Sequence, residues 1–325
     1  MFQVSNLLKV VFLGSGPIAI PILRALAADP RIELQAVISQ LDRPAGRKRV
    51  MTPTPLTASA EEAGLEVIRA ADVNTPEFTG YLDSLQPDML CVVSFGQILK
   101  STILAVPKVC CVNVHASLLP RYRGASPITQ ALLNRDSETG VCFMQMERGL
   151  DSGPVYRTIP VRLKGVEYAD SLEMTLGEKA AEYAAETLCK IADGSLTARP
   201  QDPALVTVCR KISKRDGMIN WLDDAKDIEA MTRAFFPWPG AAAKCRNSAG
   251  KELNISICSA KCLTASPLPP GKCAEVSGKL VVGCGKNSAL EIHELIPSGG
   301  KRMTAAAFRN GMRGELPEFI LEAEI

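Results

Sequence analysis

Short apolar blocks, several rich in β-branched residues, recur through the first half of the chain, with helix-length segments between them. The blocks fall at Leu8–Leu13, Leu34–Ile38, Glu66–Ile68, Met89–Ser94, Val109–His115, Val141–Met146 and Val155–Arg162. Most are apolar at successive positions rather than at alternate ones, the pattern of strands buried on both faces. Helices are expected over 17–26, 76–85, 126–133 and 171–191. The last places Leu172, Leu176, Ala180, Tyr183, Ala184 and Leu188 on one face. Strands alternating with helices predict an α/β domain, a Rossmann-like and mostly parallel sheet with helices on both faces. Gly194–Pro203, rich in Gly, Ser, Thr and Pro, reads as a connection. Beyond it the strands are shorter and separated by turn signals, at 253–257, 273–276, 280–283 and 290–292, with helical pieces at 225–235 and 305–309. That spacing predicts a small C-terminal β-barrel, OB-like in type. The expected division is a domain over 1–193, a linker over 194–210 and a second domain over 211–325.

The block Val109-Cys110-Cys111-Val112-Asn113-Val114-His115 ends in two polar side chains two residues apart. Strand side chains alternate, so Asn113 and His115 project from one face at the strand's C-terminal end, where open α/β sheets bind ligands. An amide beside an imidazole suits a developing oxyanion. A metal would want more ligands, and the chain holds 2 histidines in all. The next strand candidate, 141–146, runs into Gly149-Leu150-Asp151-Ser152-Gly153, a turn from which the Asp151 carboxylate can reach a neighbouring strand end. On these residues alone His115 is as readily a satisfied structural group as a catalyst. Gly14-x-Gly16-x-x-Ala19 matches a dinucleotide fingerprint in form. The following strand lacks an acidic residue at its end, so a tight strand-to-helix turn is the better reading.

The formal net charge of +2 excludes a wholesale basic coat, so any nucleic-acid contact must be local. Residues 211–325 carry 16 Lys+Arg against 13 Asp+Glu, and the remainder 21 against 22. The bias is small, with the sign suited to an RNA-binding module. The basic residues concentrate instead in Ser39–Arg49, where Arg43, Arg47, Lys48 and Arg49 stand against Asp42, with Pro44 and Gly46 expected to bar regular structure. Eleven cysteines without a CxxC pair read as reduced core thiols of a cytoplasmic protein. The few residues ahead of the first strand are expected to leave no room for a signal or transit peptide, and no apolar run approaches a membrane span.

Asn113-x-His115-x-Ser117-Leu118-Leu119-Pro120, followed by Gly149-Leu150-Asp151-x-Gly153, resembles the signature of the folate-dependent formyltransferases. The resemblance extends over essentially the whole chain. It implies that Asn113, His115 and Asp151 are catalytic and that the formyl donor is 10-formyltetrahydrofolate, with no metal. It places the folate against Phe95, Gly96, Gln97 and Ile98, against Ser117, Leu118, Leu119 and Pro120, and against Arg148, Gly149 and Leu150. The basic segment 39–49 resembles the insertion by which tRNA-acting members grip the acceptor arm. Leu41 stands where those members have Pro, and Lys48 where they have Gly. Lys301-Arg302-Met303 resembles a Gly-Lys-Lys-Met turn of the same members, a further phosphate contact. Initiator methionyl-tRNA is thus the implied acceptor, and translation initiation the implied setting. A monomer is expected. Phe235-Phe236-Pro237-Trp238-Pro239 could stack on bases but reads better as packing. The competing readings are a sugar-nucleotide or ribonucleotide N-formyltransferase and an RNA-binding protein with a dead enzyme domain.

Overall fold

A computed structural model of the chain describes residues 7–46, 49–247, 250–312 and 316–321. It comprises two compact units. The first holds the chain up to Pro127 with Glu138–Arg162 and Leu172–Cys209, and the second holds Ile128–Ser137, Leu163–Ser171 and everything from Arg210 onward.

The first unit is built on strands β1 (Leu8–Gly14), β2 (Ile32–Gln40), β5 (Val67–Ala70), β6 (Met89–Val93), β7 (Cys110–His115), β9 (Glu138–Gln145) and β10 (Val155–Arg162). They form one sheet in the order β10-β9-β7-β6-β1-β2-β5. The pairs from β7 through β5 are all parallel, and β9 runs antiparallel to both β7 and β10. Every residue of β6 is buried, which requires cover on both faces of the sheet. On one face Val11, Leu13, Leu90, Val92 and Cys111 pack with Leu82 of α3 (Pro76–Ser84) and Ile103 of α4 (Ser101–Leu104). Alternation sends Val10, Phe12 and Cys91 to the other face, where they are also fully buried. The remaining helices in this half of the sequence are α1 (Ala19–Ala28), α2 (Pro55–Glu62), α5 (Pro127–Leu133), which from Ile128 onward belongs to the second unit, and α6 (Ala169–Ala192), which joins the first from Leu172. Along α6 the expected apolar face is buried except at Tyr183, which is 38% exposed and lies under the Arg157 guanidinium.

The glycine-rich turn after β1 is closed to phosphate. Ile18, capping α1, donates its N–H to Oε1 of Glu173 at 3.3 Å, so a carboxylate occupies the helix N-terminus that a pyrophosphate would need.

The basic segment after β2 departs from expectation. Arg43–Ala45 (β3) and Val50–Thr52 (β4) pair as a short antiparallel ribbon, Arg43 opposite Thr52. Pro44 is tolerated because a two-stranded ribbon has solvent-facing edges that need no N–H. Gly46, at φ 68°, and Arg49, at φ 50°, turn the chain between the strands. Helix α2 was not anticipated, although Thr54 accepts Thr57 N–H and Pro55 opens the first turn, the ordinary start signals.

The second unit is a mainly antiparallel sheet of β14 (Cys273–Val276), β15 (Lys279–Cys284), β16 (Ser288–Pro297), β13 (Glu252–Leu263), β12 (Ala241–Arg246) and β18 (Glu318–Phe319), in that order, with β17 (Met303–Thr304) on β16. Register shifts in β13 between Ile257 and Ala260 bend it. The sheet curls until its ends meet, Phe319 N–H donating to Gly271 O at 3.1 Å just ahead of β14. Its core is Trp221, Ile228, Ile255, Ile257, Leu290, Leu295 and Phe308, closed by α7 (Ala225–Ala234) and α8 (Ala305–Gly311). This is the expected small barrel. Strand β12 went unread because Ala241-Ala242-Ala243 has helical propensity; burial of Ala243 and Cys245 between β13 and β18 overrides it.

Candidate active site

Strand β7 lies between β6 and β9, and its C-terminal end presents Asn113 and His115 on one side, as alternation requires. Both reach the same carboxylate. Asn113 Nδ2 is 3.4 Å from Asp151 Oδ1, and His115 Nδ1 is 3.6 Å from Asp151 Oδ2. Asp151 follows His115 by 36 positions, spent on a loop, α5 and β9, which returns antiparallel beside β7 and delivers the turn to its end. Asp151 itself has φ 45°, a left-handed conformation that costs on the order of 1–3 kcal/mol for a non-glycine residue.

Two backbone groups complete the arrangement. Gly124 N–H donates to Asp151 Oδ2 at 2.8 Å, and Tyr122 O lies 2.9 Å from His115 Nε2. A carbonyl can only accept, so Nε2 carries a hydrogen and Nδ1 is the ring atom left to exchange protons. Both groups belong to the stretch entering and forming β8 (Arg123–Gly124), which pairs in parallel with β11 (Val208–Cys209). Gly124 has φ 117°, and a Cβ there would run into the Cys209 carbonyl, so only glycine permits this pairing. Sequence reasoning had no handle on Tyr122 or Gly124, since their contributions are main-chain. His115 is 6% exposed, while Asn113 and Asp151 are half-buried, so the carboxylate lies at the mouth of the site and the imidazole beneath it. Burial pushes the Cys111 thiol up to about 12 and raises those of Cys142 and Cys209, so neighbouring thiols stay neutral.

Among the expected folate contacts, Phe95 is buried and its carbonyl accepts from Gln40 Nε2 at 2.5 Å and Ser15 Oγ at 3.3 Å. Gly96 follows in the left-handed region, at φ 81°. The Gln97 side chain is bound to the strand-end segment after β5, accepting Val73 N–H at 3.0 Å and donating to Ala70 O at 3.1 Å. Ile98 is 87% exposed at the loop tip. Ser117 is fully buried and its hydroxyl donates to Arg121 O at 2.7 Å, so it shapes the loop from within. Leu118, Leu119 and Pro120 are half-buried, and Arg148, Gly149 and Leu150 are exposed beside Asp151.

Of the expected tRNA contacts, Arg43 and Arg49 are exposed on the β3–β4 ribbon, and Arg43 donates to Gln40 Oε1. Arg47 and Lys48 lie outside the described residues. In the second unit Lys301 is exposed. Arg302 pairs with Glu294 at 3.1 Å and stands 5.8 Å from the centre of the Phe236 ring. Phe235 is buried, Phe236 meets Tyr168 edge-on at 5.5 Å, and Trp238 is 60% exposed. Among the described residues no group of three or more His, Cys, Asp or Glu gathers as a metal cluster would, and no helix is long and apolar enough to cross a membrane.

Comparison with known proteins shows the family. Residues 8–188 match the formyl transferase family model, and 211–313 match that of the formyl transferase C-terminal domain. A methionyl-tRNA formyltransferase of Geobacter metallireducens is 38% identical over 308 residues, 95% of this chain and 97% of that protein. One of Methylococcus capsulatus is 40% identical over 304 residues, covering 93% and 96%. Among solved structures, the Helicobacter canadensis N-formyltransferase, in complex with folinic acid and dTDP-3-aminofucose, superposes with a TM-score of 0.62 at 16% identity, covering 88% of this chain and 99% of that one. HypX of Aquifex aeolicus, in complex with tetrahydrofolic acid, gives 0.58 at 15% identity, with 94% of this chain spanning 47% of that one. At such identities these structures speak for the fold alone, whereas the full-length relatives speak for more: the chain belongs to the methionyl-tRNA formyltransferases, within the formyl transferase family.

Proposed function

We propose that Asn113, His115 and Asp151 form the centre at which the α-amine of initiator methionyl-tRNA takes the formyl group of 10-formyltetrahydrofolate. The amine nitrogen attacks the formyl carbon, the carbonyl oxygen becomes an oxyanion, and the bond to the folate nitrogen then breaks. The amine loses one proton and the departing folate nitrogen gains one.

The observation that carries this reading is the single Asp151 carboxylate faced by both Asn113 and His115 and fixed by Gly124 N–H. Asn113 directs one amide hydrogen toward Asp151 and has its second unengaged among the described residues, a donor for the oxyanion. His115, anchored through Nε2–H, works through Nδ1, which lies next to Asp151 and can shuttle the amine proton toward the leaving nitrogen. No nucleophilic side chain is needed, since the amine is the nucleophile. The turn at 95–98 and the stretches 117–120 and 148–150 are proposed to receive the folate. Arg43, Arg47, Lys48 and Arg49, with Lys301 and Arg302, are proposed to meet tRNA phosphates. We place the protein in the cytoplasm, a reading supported by eleven free thiols.

The test is formyl transfer from 10-formyltetrahydrofolate to charged initiator tRNA, set against amino-sugar nucleotides and ribonucleotide amines at matched concentrations. Formyl-methionyl-tRNA as the product is the expected result. Preferential turnover of a small-molecule amine would overturn the reading.

A further inference from the structure

Gln201 lies in a stretch whose composition suggests only a connection, yet its side-chain amide is fully employed at the edge of the site. Nε2 donates to the carbonyls of Asp151 at 2.8 Å and Gly153 at 2.7 Å, and Oε1 accepts from Arg123 Nε at 2.9 Å. One side chain thereby joins the turn that carries Asp151 to the strand residue next to Gly124, whose N–H holds the Asp151 carboxylate. A few residues on, Thr207 does the equivalent for the other side of His115. Its Oγ1 accepts Tyr122 N–H at 2.8 Å and its carbonyl accepts Arg123 N–H at 2.9 Å, fixing the Tyr122 carbonyl that receives His115 Nε2–H.

Asp151 and Tyr122 share an unusual backbone. Both are non-glycine residues in the left-handed region, at φ 45° and 59°. Such conformations persist only where surrounding contacts over-determine them. Gln201 and Thr207 are among those contacts, Gln201 at the Asp151 carbonyl and Thr207 at the Tyr122 N–H, and both come from the expected linker over 194–210. We propose that Gln201 is a positioning residue for formyl transfer. It keeps the Asp151 carboxylate in register with His115 and Asn113, with Thr207 holding the opposite anchor, and neither touches a substrate. The inference rests on the roles assigned above to Asp151 and His115.

The test uses the full-length protein and four variants, Gln201→Ala, Gln201→Met, Asp151→Ala and the Gln201→Ala/Asp151→Ala double. Gln201→Ala is expected to lower kcat by about tenfold to a hundredfold, the scale of an ångström-level misplacement. Both KM values should stay within about twofold, because every group that meets a substrate is still present. On the Asp151→Ala background the same change should alter kcat by less than about twofold, since a positioning residue has nothing left to position. Gln201→Met, similar in length but without donors or acceptor, should reproduce the Gln201→Ala result and serves if the alanine variant does not fold. An equal loss on both backgrounds, or an unchanged kcat, would overturn the proposal while leaving the roles of Asp151 and His115 intact. Wild-type kcat in Asp151→Ala would overturn those roles and this proposal together.

Discussion

His115 and Asp151 face each other without a closed hydrogen bond: Nδ1 stands 3.6 Å from Oδ2, while the opposite ring nitrogen is held at 2.9 Å by the Tyr122 carbonyl. The separation exceeds hydrogen-bond reach by only a few tenths of an ångström. The ring is thus anchored at its back, and its front atom remains available both to Asp151 and to a substrate. Catalytic contacts commonly tighten only once substrate is bound.

From this relationship comes the first prediction. Ala at Asn113, His115 or Asp151 should each lower kcat by roughly a hundredfold or more, the usual scale for removing one oxyanion donor or its partner. Affinity for tRNA should change little. The double variant His115→Ala/Asp151→Ala should lose much less than the product of the single losses, because Asp151 acts through Nδ1. Steady-state kinetics of the three singles and the double decide the matter. Strictly multiplicative losses would mean that Asp151 works independently of His115.

Much of this site could be read from the chain, and the reasons for the remainder are physical. The shared face of Asn113 and His115 was legible because polar residues at i, i+2 closing an apolar strand must project together, while their catalytic role and that of Asp151 came from the resemblance to the formyltransferase signature. The Tyr122 carbonyl and Gly124 N–H were not, because main-chain groups leave no residue signature. Gln201 and Thr207 were hidden for a different reason. They lie in a Gly/Pro-punctuated segment that looks like a spacer, and only the tertiary pairing of β8 with β11 gives their side chains work. In the fold, strands buried on both faces announced themselves, whereas β3 and β12 were concealed by proline and alanine, whose local preferences are overridden by an open ribbon edge in one case and by burial in the other.

The second prediction concerns Gly124. An alanine there must adopt φ 117° and push its Cβ against the Cys209 carbonyl, backbone that cannot swing aside. Gly124→Ala should cost about 1–3 kcal/mol of stability. It should also lower kcat, by displacing the N–H that fixes Asp151 Oδ2. Chemical denaturation and initial rates on the same preparation check both effects. A variant with wild-type stability and rate would show that β8 and β11 separate easily.

Buried thiols supply the third prediction. Burial lifts Cys91, Cys111 and Cys284 to about 12 and Cys245 to about 11, whereas a thiol in the unfolded chain titrates near about 8.5. With the folded value raised, the stabilising contribution is complete below the unfolded value and declines as pH climbs from there toward the folded one. Urea midpoints should therefore fall between about pH 9 and 11. Replacing Cys91 and Cys111 with alanine should flatten that decline, whatever the change does to stability at neutral pH. Parallel pH curves for the two proteins would show that these thiols do not contribute to it.

The last prediction separates a tRNA enzyme from its small-molecule relatives through the β3–β4 ribbon. Arg43 and Arg49 are exposed there, Arg47 and Lys48 belong to the same segment, and none of the four is placed among the catalytic groups. If they neutralise acceptor-arm phosphates, removing each basic group should flatten the dependence of log affinity on log salt by about one unit. Arg43 adds a structural link. It donates to Gln40, and Gln40 donates to the Phe95 carbonyl at the start of the proposed folate turn, so the ribbon is tied to the turn through one glutamine. Arg43→Ala should therefore raise KM for methionyl-tRNA and also lower kcat modestly, whereas Arg49→Ala should act on KM alone. Folate KM should remain near wild type in both. A variant with all four residues changed to alanine should lose most of its salt dependence while retaining tetrahydrofolate binding. If its tRNA kinetics and salt slope matched the wild type, the ribbon would be a solvated surface hairpin, and tRNA recognition would have to be sought in the second unit.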